Sequence, residues 1–249
     1  MQDLDVVVFA SQKGGSGKTT LSGHMAVAAL RAGQAPVAVI DTDPQGSLLA
    51  WAKARGQSFL SIVKSSGEAL GEEIDRLRQQ GARLVVIDTP PAANSSIVEA
   101  IRVASLVVVP TRPSPHDLRA VGSTVDIVEA CRKPMVFVVN SATPRAKITA
   151  DAAVALSQHG TVAPVTVHHR VDYAASMIDG RTVMELGEDG RSATEMSQLW
   201  QYLSNRLSRQ REQWAETAGN RPGLSAELGH VLKRTAPSFG RRASHAEWH

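Results

Sequence analysis

Residues 11 to 20 read SQKGGSGKTT and place three glycines, two lysines and two threonines within ten positions. The glycines have no side chains that would keep phosphate oxygens away from backbone N–H groups. In such a loop Lys18 reaches the β- and γ-phosphates of a nucleotide, and Thr19 binds Mg²⁺. An apolar run before the loop and a helical pattern after it supply the strand and helix that the motif requires. The candidate phosphate-binding residues are Lys13, Gly14, Gly15, Ser16, Gly17, Lys18, Thr19 and Thr20.

Acidic residues follow two of the predicted buried strands. Asp41 and Asp43 come in DTDPQGS, and Asp88 comes in VVIDTPP. Carboxylates at strand ends beside a phosphate loop can hold Mg²⁺ through its water shell or orient an attacking water. A single aspartate at a strand end is often only a turn former. Three of them around one phosphate site indicate a site for nucleotide hydrolysis.

The elements that must position these residues can be predicted from the apolar runs. The runs are rich in β-branched residues and apolar at nearly every position, which is typical of strands covered on both faces of a parallel sheet. Helical segments alternate with them, so we expect a doubly wound α/β fold with a mostly parallel sheet flanked by helices. Its ligands would bind beyond the carboxyl ends of the strands. The predicted strands are DVVVFA, APVAVID, ARLVVIDTP, SLVVVPT, KPMVFVVN and TVAPVTV, and the predicted helices cover residues 18–32, 67–80, 94–104, 115–131, 147–158 and 192–218.

Length and composition indicate one large domain with a C-terminal tail. The chain has 249 residues, of which 43% are hydrophobic and 20% charged, and no apolar stretch is long enough to cross a bilayer. The single cysteine, Cys131, excludes an intramolecular disulfide and fits a reducing cytoplasm. We expect an ATPase domain over residues 1–218 and a basic, flexible tail over residues 219–249. A basic tail can attract nucleic acid or be merely solvated.

Three segments together resemble a known family. KGGSGKTT, DTDPQGS and VVIDTPP, in this order and at these intervals, are similar to the deviant Walker A ATPases of the ParA/MinD superfamily. DTDPQGSLLAWAKA and SLVVVPTRPSPHDLRAVGS resemble most closely the small, ParF-like ParA proteins of plasmid and chromosome partition. The resemblance covers about residues 5 to 207 and leaves out the tail. It implies a weak, Mg²⁺-dependent ATPase with ATP and Mg²⁺ as cofactors.

The resemblance gives the second lysine of the loop a role. It implies that Lys13 is the family's signature lysine, which crosses a two-fold interface to the phosphates of the ATP held by the partner subunit. ATP would then lie between two subunits, and dimerisation would follow ATP binding. The resemblance also implies that Lys13, Lys18 and Asp43 are the catalytic residues.

Further roles are implied for individual residues. Asp43 matches the water-positioning aspartate, whereas Thr19, Asp41 and Asp88 match the residues at the metal. Asn140 falls where the family places an adenine-contacting asparagine, although a strand-end asparagine can equally be a turn residue. The segment PTRPSPHDL matches a proline-rich connection to an interface helix, in which Asp117 caps the helix or joins the interface.

The resemblance favours a partition ATPase that is cytoplasmic and nucleoid-associated. Its ATP-bound homodimer would bind DNA without sequence preference, and a ParB-like centromere-binding protein would stimulate hydrolysis. The alternative is a positioning or scaffold ATPase that does not partition DNA. A metal-cluster reductase is disfavoured because Cys131 is the only cysteine, and no membrane partner is expected because APSFGRRASHAEWH has no continuous apolar stripe. The candidate DNA-binding residues are Arg145, Lys147, Arg170, Arg206, Arg209 and Arg211.

Overall fold

A six-stranded sheet with helices on both faces is seen in the computed structural model, which describes residues 4–56, 59, 61–66, 69–91, 95–187 and 189–219. The strands in this part of the chain are β1 (Asp5–Phe9), β2 (Val37–Asp41), β3 (Ser61–Lys64), β4 (Leu84–Asp88), β5 (Leu106–Thr111) and β6 (Met135–Val139). The helices are α1 (Lys18–Arg31), α2 (Ser47–Arg55), α3 (Leu70–Gln79), α4 (Ser95–Val103), α5 (Pro115–Ala130), α6 (Lys147–Ser157), α7 (Val171–Met177), α8 (Val183–Leu186) and α9 (Arg191–Gly219).

The strands are all parallel and lie in the order β3-β2-β4-β1-β5-β6. Strand β1 is central: its Val7 pairs with Val86 of β4 on one side and with Leu106 of β5 on the other. The chain leaves β1 towards one edge of the sheet and later crosses to the other edge from β4 to β5. This reversal of strand order creates a crevice beyond the carboxyl end of β1, where doubly wound folds bind ligands. The predicted fold class is confirmed.

Alternate residues of each strand pack into two separate cores. Val7 and Phe9 contribute to the core on the face covered by α1, α2, α7, α8 and α9. Val6 and Val8 contribute to the core on the opposite face, under α3, α4, α5 and α6. Both faces of the sheet are therefore buried, which is the reason that its strands are apolar at nearly every position.

The structure differs from the sequence prediction at the sheet edges. Strand β3 and the short helices α2, α7 and α8 were not among the predicted elements. The predicted strand TVAPVTV is wrong: this segment lies beside β6, and the N–H of Ala163 donates to the Phe137 carbonyl at 2.8 Å, but it does not form a regular strand. After Ala163 the regular pairing stops, and the next hydrogen bond to β6 runs from the Val167 N–H to the Val139 carbonyl at 2.9 Å.

The chain divides into two compact units, Met1–Leu207 and Ser208–His249. In the first unit, α9 buries Met196, Leu199 and Leu203, which lie on one face of the helix. In the second unit the described part is helical up to Gly219. The expected ATPase domain over residues 1–218 and the expected tail from residue 219 remain predictions, and residues 220–249 lie outside the described residues.

Candidate nucleotide-binding site

The glycine-rich loop joins the carboxyl end of β1 to the first turn of α1. Gly15 and Gly17 have φ values of 72° and 98°, in the left-handed region that favours glycine. Helix α1 begins at Lys18 without a side-chain cap, so the backbone N–H groups of its first turn have no capping partner. A helix N-terminus of this kind, next to a glycine-rich loop, is suited to bind an anion.

Asn140 supports the loop from the end of β6. Its amide nitrogen Nδ2 donates to the Ser16 carbonyl at 2.7 Å, and the side chain is buried. A methyl group at Gly17 would lie 2.1 Å from the same nitrogen, so Asn140 requires glycine at this position. The observed contact of Asn140 is with the loop backbone, and contact with adenine remains a prediction.

Lys18, Thr19 and Asp88 lie at the base of the loop. Thr19 Oγ1 donates to Asp88 Oδ2 at 2.5 Å. Burial raises the pKa of Asp88 to about 7, although the Thr19 hydroxyl opposes this shift. Burial also lowers the pKa of Lys18, while the carboxylates of Asp88 and Asp43 raise it. The fold therefore keeps two groups of opposite charge away from water beside the loop.

Asp41 and Asp43 fix the turn that follows β2. Asp41 is buried, and its two oxygens accept from the backbone N–H groups of Asp43 at 3.0 Å and Leu49 at 2.9 Å. Burial raises the pKa of Asp41, against the effect of these two donors. Asp43 is half-buried, and its Oδ1 accepts from the N–H of Gln45 at 2.9 Å. Asp41 thus has a visible structural role, and its predicted role at a metal remains a prediction.

The residues at the base of the loop fit a magnesium ion. Asp88 Oδ1 is buried and has no hydrogen-bond partner in the structure, and the same is true of Ser16 Oγ. No three histidine, cysteine or acidic side chains converge on one point in the described part of the chain, so these side chains alone would not enclose a metal. Mg²⁺ characteristically binds one or two carboxylates together with phosphate oxygens and water. Asp88 and Thr19 suit such a site.

Lys13 is the second lysine of the glycine-rich loop. It is half-buried, and no hydrogen bond or ion pair joins its ammonium group to a residue that the structure describes. The Lys18 ammonium donates to the backbone carbonyl of Lys13 at 3.5 Å, so this contact does not involve the Lys13 side chain. This geometry is compatible with a role of Lys13 outside its own subunit, which remains a prediction.

Helix α5 holds the loop from the other side, a contact that the sequence analysis missed. The Gln12 N–H donates to Thr124 Oγ1 at 3.2 Å, and Gln12 Nε2 donates to the Ser123 carbonyl at 3.1 Å. Gln12 occupies the place where the loop pattern normally begins with glycine. That departure was the available signal, since a side chain at this position can reach a neighbouring element.

Arg112 and Asp117 form a second contact that the sequence analysis missed. Arg112 follows β5, and its Nε donates to Asp117 Oδ1 at 3.0 Å. Asp117 is buried in the first turn of α5, where its N–H donates to Oγ of Ser114, the residue that caps the helix. Ser114 rather than Asp117 thus caps α5, and a place of Asp117 in an interface remains a prediction.

The six candidate DNA-binding residues have different environments. Arg145 and Lys147 are exposed next to the start of α6. Arg170 forms an ion pair with Glu195 at 2.7 Å, and Arg206 is half-buried with Nη2 3.5 Å from the Met135 carbonyl. In the second unit Arg209 is exposed, and Arg211 Nη2 donates to Ser208 Oγ at 2.9 Å. DNA contact by any of them remains a prediction.

Glu195 is the centre of a second polar cluster. Its oxygens accept from the N–H and Nδ1 of His168, from Arg170 Nη2 and from the Tyr173 hydroxyl, at 2.7 to 3.1 Å. Burial would raise the pKa of Glu195, but these donors outweigh burial and lower it. We call Glu195, His168, Arg170 and Tyr173 the Glu195 cluster.

The strand, loop, helix and strand-end carboxylates define a P-loop nucleotide-binding protein. The chain belongs to the CobQ/CobB/MinD/ParA nucleotide binding domain family, whose model matches residues 7–183. The recognition of a ParA/MinD protein from the loop motifs is thereby confirmed.

Relatives and solved structures extend the match. The chain is 29% identical over 199 residues to the maintenance of carboxysome distribution protein A of Halothiobacillus neapolitanus, covering 76% of this chain and 91% of that protein. It is 33% identical over 116 residues to a Protein ParA of Rhizobium radiobacter, covering 46% of this chain and 51% of that protein. The MinC:MinD cell division protein complex of Aquifex aeolicus contains a similar fold, with a TM-score of 0.70 and 15% identity over 81% of this chain and 96% of that chain.

None of the helices in the described residues has the length and apolar character needed to cross a membrane.

Proposed function

We propose that this chain is an ATP-hydrolysing positioning protein, which distributes a protein-based cargo over nucleoid DNA in the cytoplasm. The similarity to a carboxysome distribution protein carries this proposal, because it extends over 91% of that relative. The ParA relative is matched over only 51% of its length. The alternative from the sequence analysis is therefore better supported than replicon partition.

The loop would bind the phosphates of ATP in the crevice beyond β1. Backbone N–H groups of Gly14 to Gly17 would surround the phosphates, and Lys18 would contact the β- and γ-phosphates. Thr19 and Asp88 would hold Mg²⁺, which neutralises charge on the phosphates when it is bound. Burial disfavours the ionised form of Asp88, so a cation beside Oδ1 would stabilise its carboxylate.

Hydrolysis would require a positioned water molecule. Asp43 is only half-buried, and its turn is fixed by the hydrogen bonds to Asp41. Asp43 would accept a hydrogen bond from the water, while Lys18 stabilises the charge on the phosphates. Lys13 would reach the ATP of the partner subunit, so that dimerisation depends on ATP. A cargo adaptor protein, rather than a ParB-like protein, would stimulate the reaction.

Three substitutions in the purified chain test the nucleotide chemistry. Lys18→Ala should abolish ATP binding, whereas Asp43→Ala should bind ATP but hydrolyse it roughly 100-fold more slowly. Lys13→Ala should bind ATP and stay monomeric in sedimentation with a non-hydrolysable analogue. Lys53→Ala, at an exposed position of α2, is the control and should behave as wild type. A dimeric Lys13→Ala protein, or equal losses of affinity in all three variants, would contradict these assignments.

Deletion of the gene in its host distinguishes positioning from partition. If the proposal is correct, large protein assemblies cluster or segregate unevenly in the deletion strain, while plasmids and chromosomes are inherited normally. Complementation with the Lys18→Ala chain should fail, and complementation with Lys53→Ala should succeed. Replicon loss with normal spacing of protein assemblies would instead support partition, the second candidate, which the ParA relative favours.

A further inference from the structure

Arg112 lies against the glycine-rich loop although the chain places it a hundred residues away. A methyl group at Gly15 would lie 3.8 Å from Nη1 of Arg112 and 4.0 Å from Nη2. These are ordinary van der Waals distances, so the guanidinium lies directly beside the loop at Gly15. A cation therefore lies on the side of the loop that faces β5.

The orientation of this cation is fixed by a buried carboxylate. Asp117 is 3% exposed, and it accepts from Nε of Arg112 at 3.0 Å and from Nη2 at 3.4 Å. Ser114 Oγ in turn donates to Asp117 Oδ2 at 2.5 Å. The fork formed by Nε and Nη2 is therefore turned towards α5, and the N–H groups of Nη1 remain for another acceptor. The side chain of Arg112 is 38% exposed, so a ligand can reach it.

Helix α5 and the loop are also joined through Gln12. The two hydrogen bonds of Gln12 to Thr124 and Ser123 lie two turns further along α5 than Asp117. The loop is thus attached to α5 at Gln12 and flanked at Gly15 by a side chain that α5 holds. These two attachments to α5 hold the Arg112 guanidinium at a fixed position beside the phosphate-binding backbone.

We propose that Arg112 binds the terminal phosphate of a nucleoside triphosphate at this loop and makes the site selective for triphosphate over diphosphate. This inference rests on the proposed function. The loop backbone would hold the α- and β-phosphates and Lys18 the β- and γ-phosphates, and the guanidinium beside Gly15 would add a second cation at the γ-phosphate. Nη1 of Arg112 carries two N–H groups that can donate to phosphate oxygens, and the contacts of Nε and Nη2 with Asp117 fix the direction in which Nη1 points. A diphosphate lacks the group that Arg112 would contact.

The test compares two nucleotides on the full purified chain with Mg²⁺. Calorimetric affinities are measured for a non-hydrolysable ATP analogue and for ADP. Arg112→Gln should weaken binding of the triphosphate at least tenfold and change ADP binding less than threefold. Arg112→Lys should show an intermediate loss, because its single ammonium retains charge without the fork. Arg119→Gln, at an exposed position of α5, is the matched control and should leave both affinities unchanged.

Asp117→Asn distinguishes phosphate binding by Arg112 from a role in which Arg112 only supports the glycine-rich loop. It keeps the Arg112 charge and removes its anchor, so triphosphate affinity should fall less than in Arg112→Gln, and ADP affinity should be maintained. Equal losses for ATP analogue and ADP in the Arg112 variants would mean that Arg112 only supports the loop, and unchanged affinities would mean that it contacts no phosphate. Either result overturns the inference. If the wild-type chain binds neither nucleotide, the proposed function itself fails.

Discussion

Asp88 and Glu195 are both largely enclosed by the fold, but their hydrogen bonds differ. Asp88 accepts one hydroxyl on Oδ2, and its Oδ1 is buried without a hydrogen-bond partner among the residues that the structure describes. Glu195 has four donors on its two oxygens. Accordingly the pKa of Asp88 is raised to about 7, mainly by burial, whereas the donors around Glu195 overcome burial and lower its pKa. This difference predicts that Asp88 binds a ligand and that Glu195 stabilises the fold.

His24 extends the region of satisfied polar groups around the Glu195 cluster. Its ring packs against Tyr173 with centroids 5.4 Å apart. Nδ1 lies 2.7 Å from the Thr20 carbonyl, and Nε2 accepts from the Val183 N–H at 3.3 Å. These partners assign a neutral ring with the proton on Nδ1, because a protonated Nε2 would meet another donor. The largest changes on substitution should therefore concern ligand binding at Asp88 and stability at His24 and Glu195.

The largest effect is expected for Asp88→Asn. This change should lower Mg²⁺-dependent affinity for ATP roughly 100-fold, about 2.7 kcal/mol, measured by calorimetry with and without Mg²⁺. The unliganded protein should not lose stability at pH 8. The folded pKa of about 7 lies above the unfolded value of 3.8, so the native carboxyl loses its stabilising contribution as the pH rises through this range. Normal Mg²⁺-dependent affinity for ATP together with a much lower stability would mean that Asp88 stabilises the fold and does not bind the ligand.

The second largest effect is expected for the pH dependence of the free energy of unfolding, to which His24 contributes. Burial lowers the pKa of His24 from 6.5 to about 4, so the folded state binds the proton less well than the unfolded state. Its contribution to stability is present above pH 6.5 and is lost as the pH falls towards 4. Between pH 7 and pH 4.5 the wild type should lose roughly 2 to 3 kcal/mol more stability than His24→Gln, measured by urea unfolding. His159→Gln, at an exposed position, should follow the wild-type curve, and an equal pH slope in His24→Gln would refute the assignment.

A smaller loss of stability is expected for Glu195→Gln. The amide keeps the size of the side chain but cannot accept all four donors and carries no charge for Arg170. The free energy of unfolding should fall by about 2 kcal/mol, while ATP affinity stays within twofold of wild type. Glu72→Gln, at an exposed position of α3, should change stability by less than about 0.5 kcal/mol. Weaker ATP binding by Glu195→Gln would show that the two carboxylates do not have separate roles.

Much of the nucleotide site could be predicted because its elements are local in sequence. The loop and the residues at the ends of β2 and β4 are each read from fewer than ten consecutive positions. The parallel strands then place them all at the carboxyl end of the sheet. The partners of the site could not be read in this way. Arg112 lies near Gly15, and Gln12 contacts Thr124, only because β1 and β5 are neighbours in the sheet. The pairing of Arg170 with Glu195 is a long-range contact as well, so the sequence did not show it, and Arg170 was placed among the candidate DNA-binding residues.

The same reasoning explains the missed elements. Strand β3 has four residues at the sheet edge, with Ser61 and Lys64 at its ends, so its apolar signal is only two residues long. Helix α2 begins after Gly46 in the left-handed region, with no capping side chain, while the Asp41 carboxylate accepts the N–H of Leu49 from outside the helix. Its start depends on the preceding strand rather than on a local capping motif.

Positively charged side chains can be compared in the same way, according to whether they have an ion-pair partner. The smallest effect is expected here, on the salt dependence of DNA binding. Arg170 is paired with Glu195, and Arg206 is half-buried, whereas Arg145 and Lys147 are exposed and have no ion pair with a residue that the structure describes. If the proposed DNA binding uses unpaired cations, Arg145 and Lys147 should contact phosphates. Substituting both by alanine should reduce the slope of log affinity against log salt by about 1.8, from about 0.9 for each phosphate contact.

Binding of the ATP-loaded chain to two unrelated duplexes at several salt concentrations measures this slope. The loss should be equal on both duplexes, because phosphate contacts carry no sequence information, and ATP turnover without DNA should be unchanged. Arg83→Ala is the matched control, since Arg83 is exposed directly before β4, at the amino end of the strands, whereas the glycine-rich loop lies at the carboxyl end of β1. An unchanged slope in the double variant would place the DNA surface on Arg209 and Arg211 of the second unit. In that case exposure and lack of a partner would not be sufficient to identify a functional cation, and the comparison would hold for the carboxylates alone.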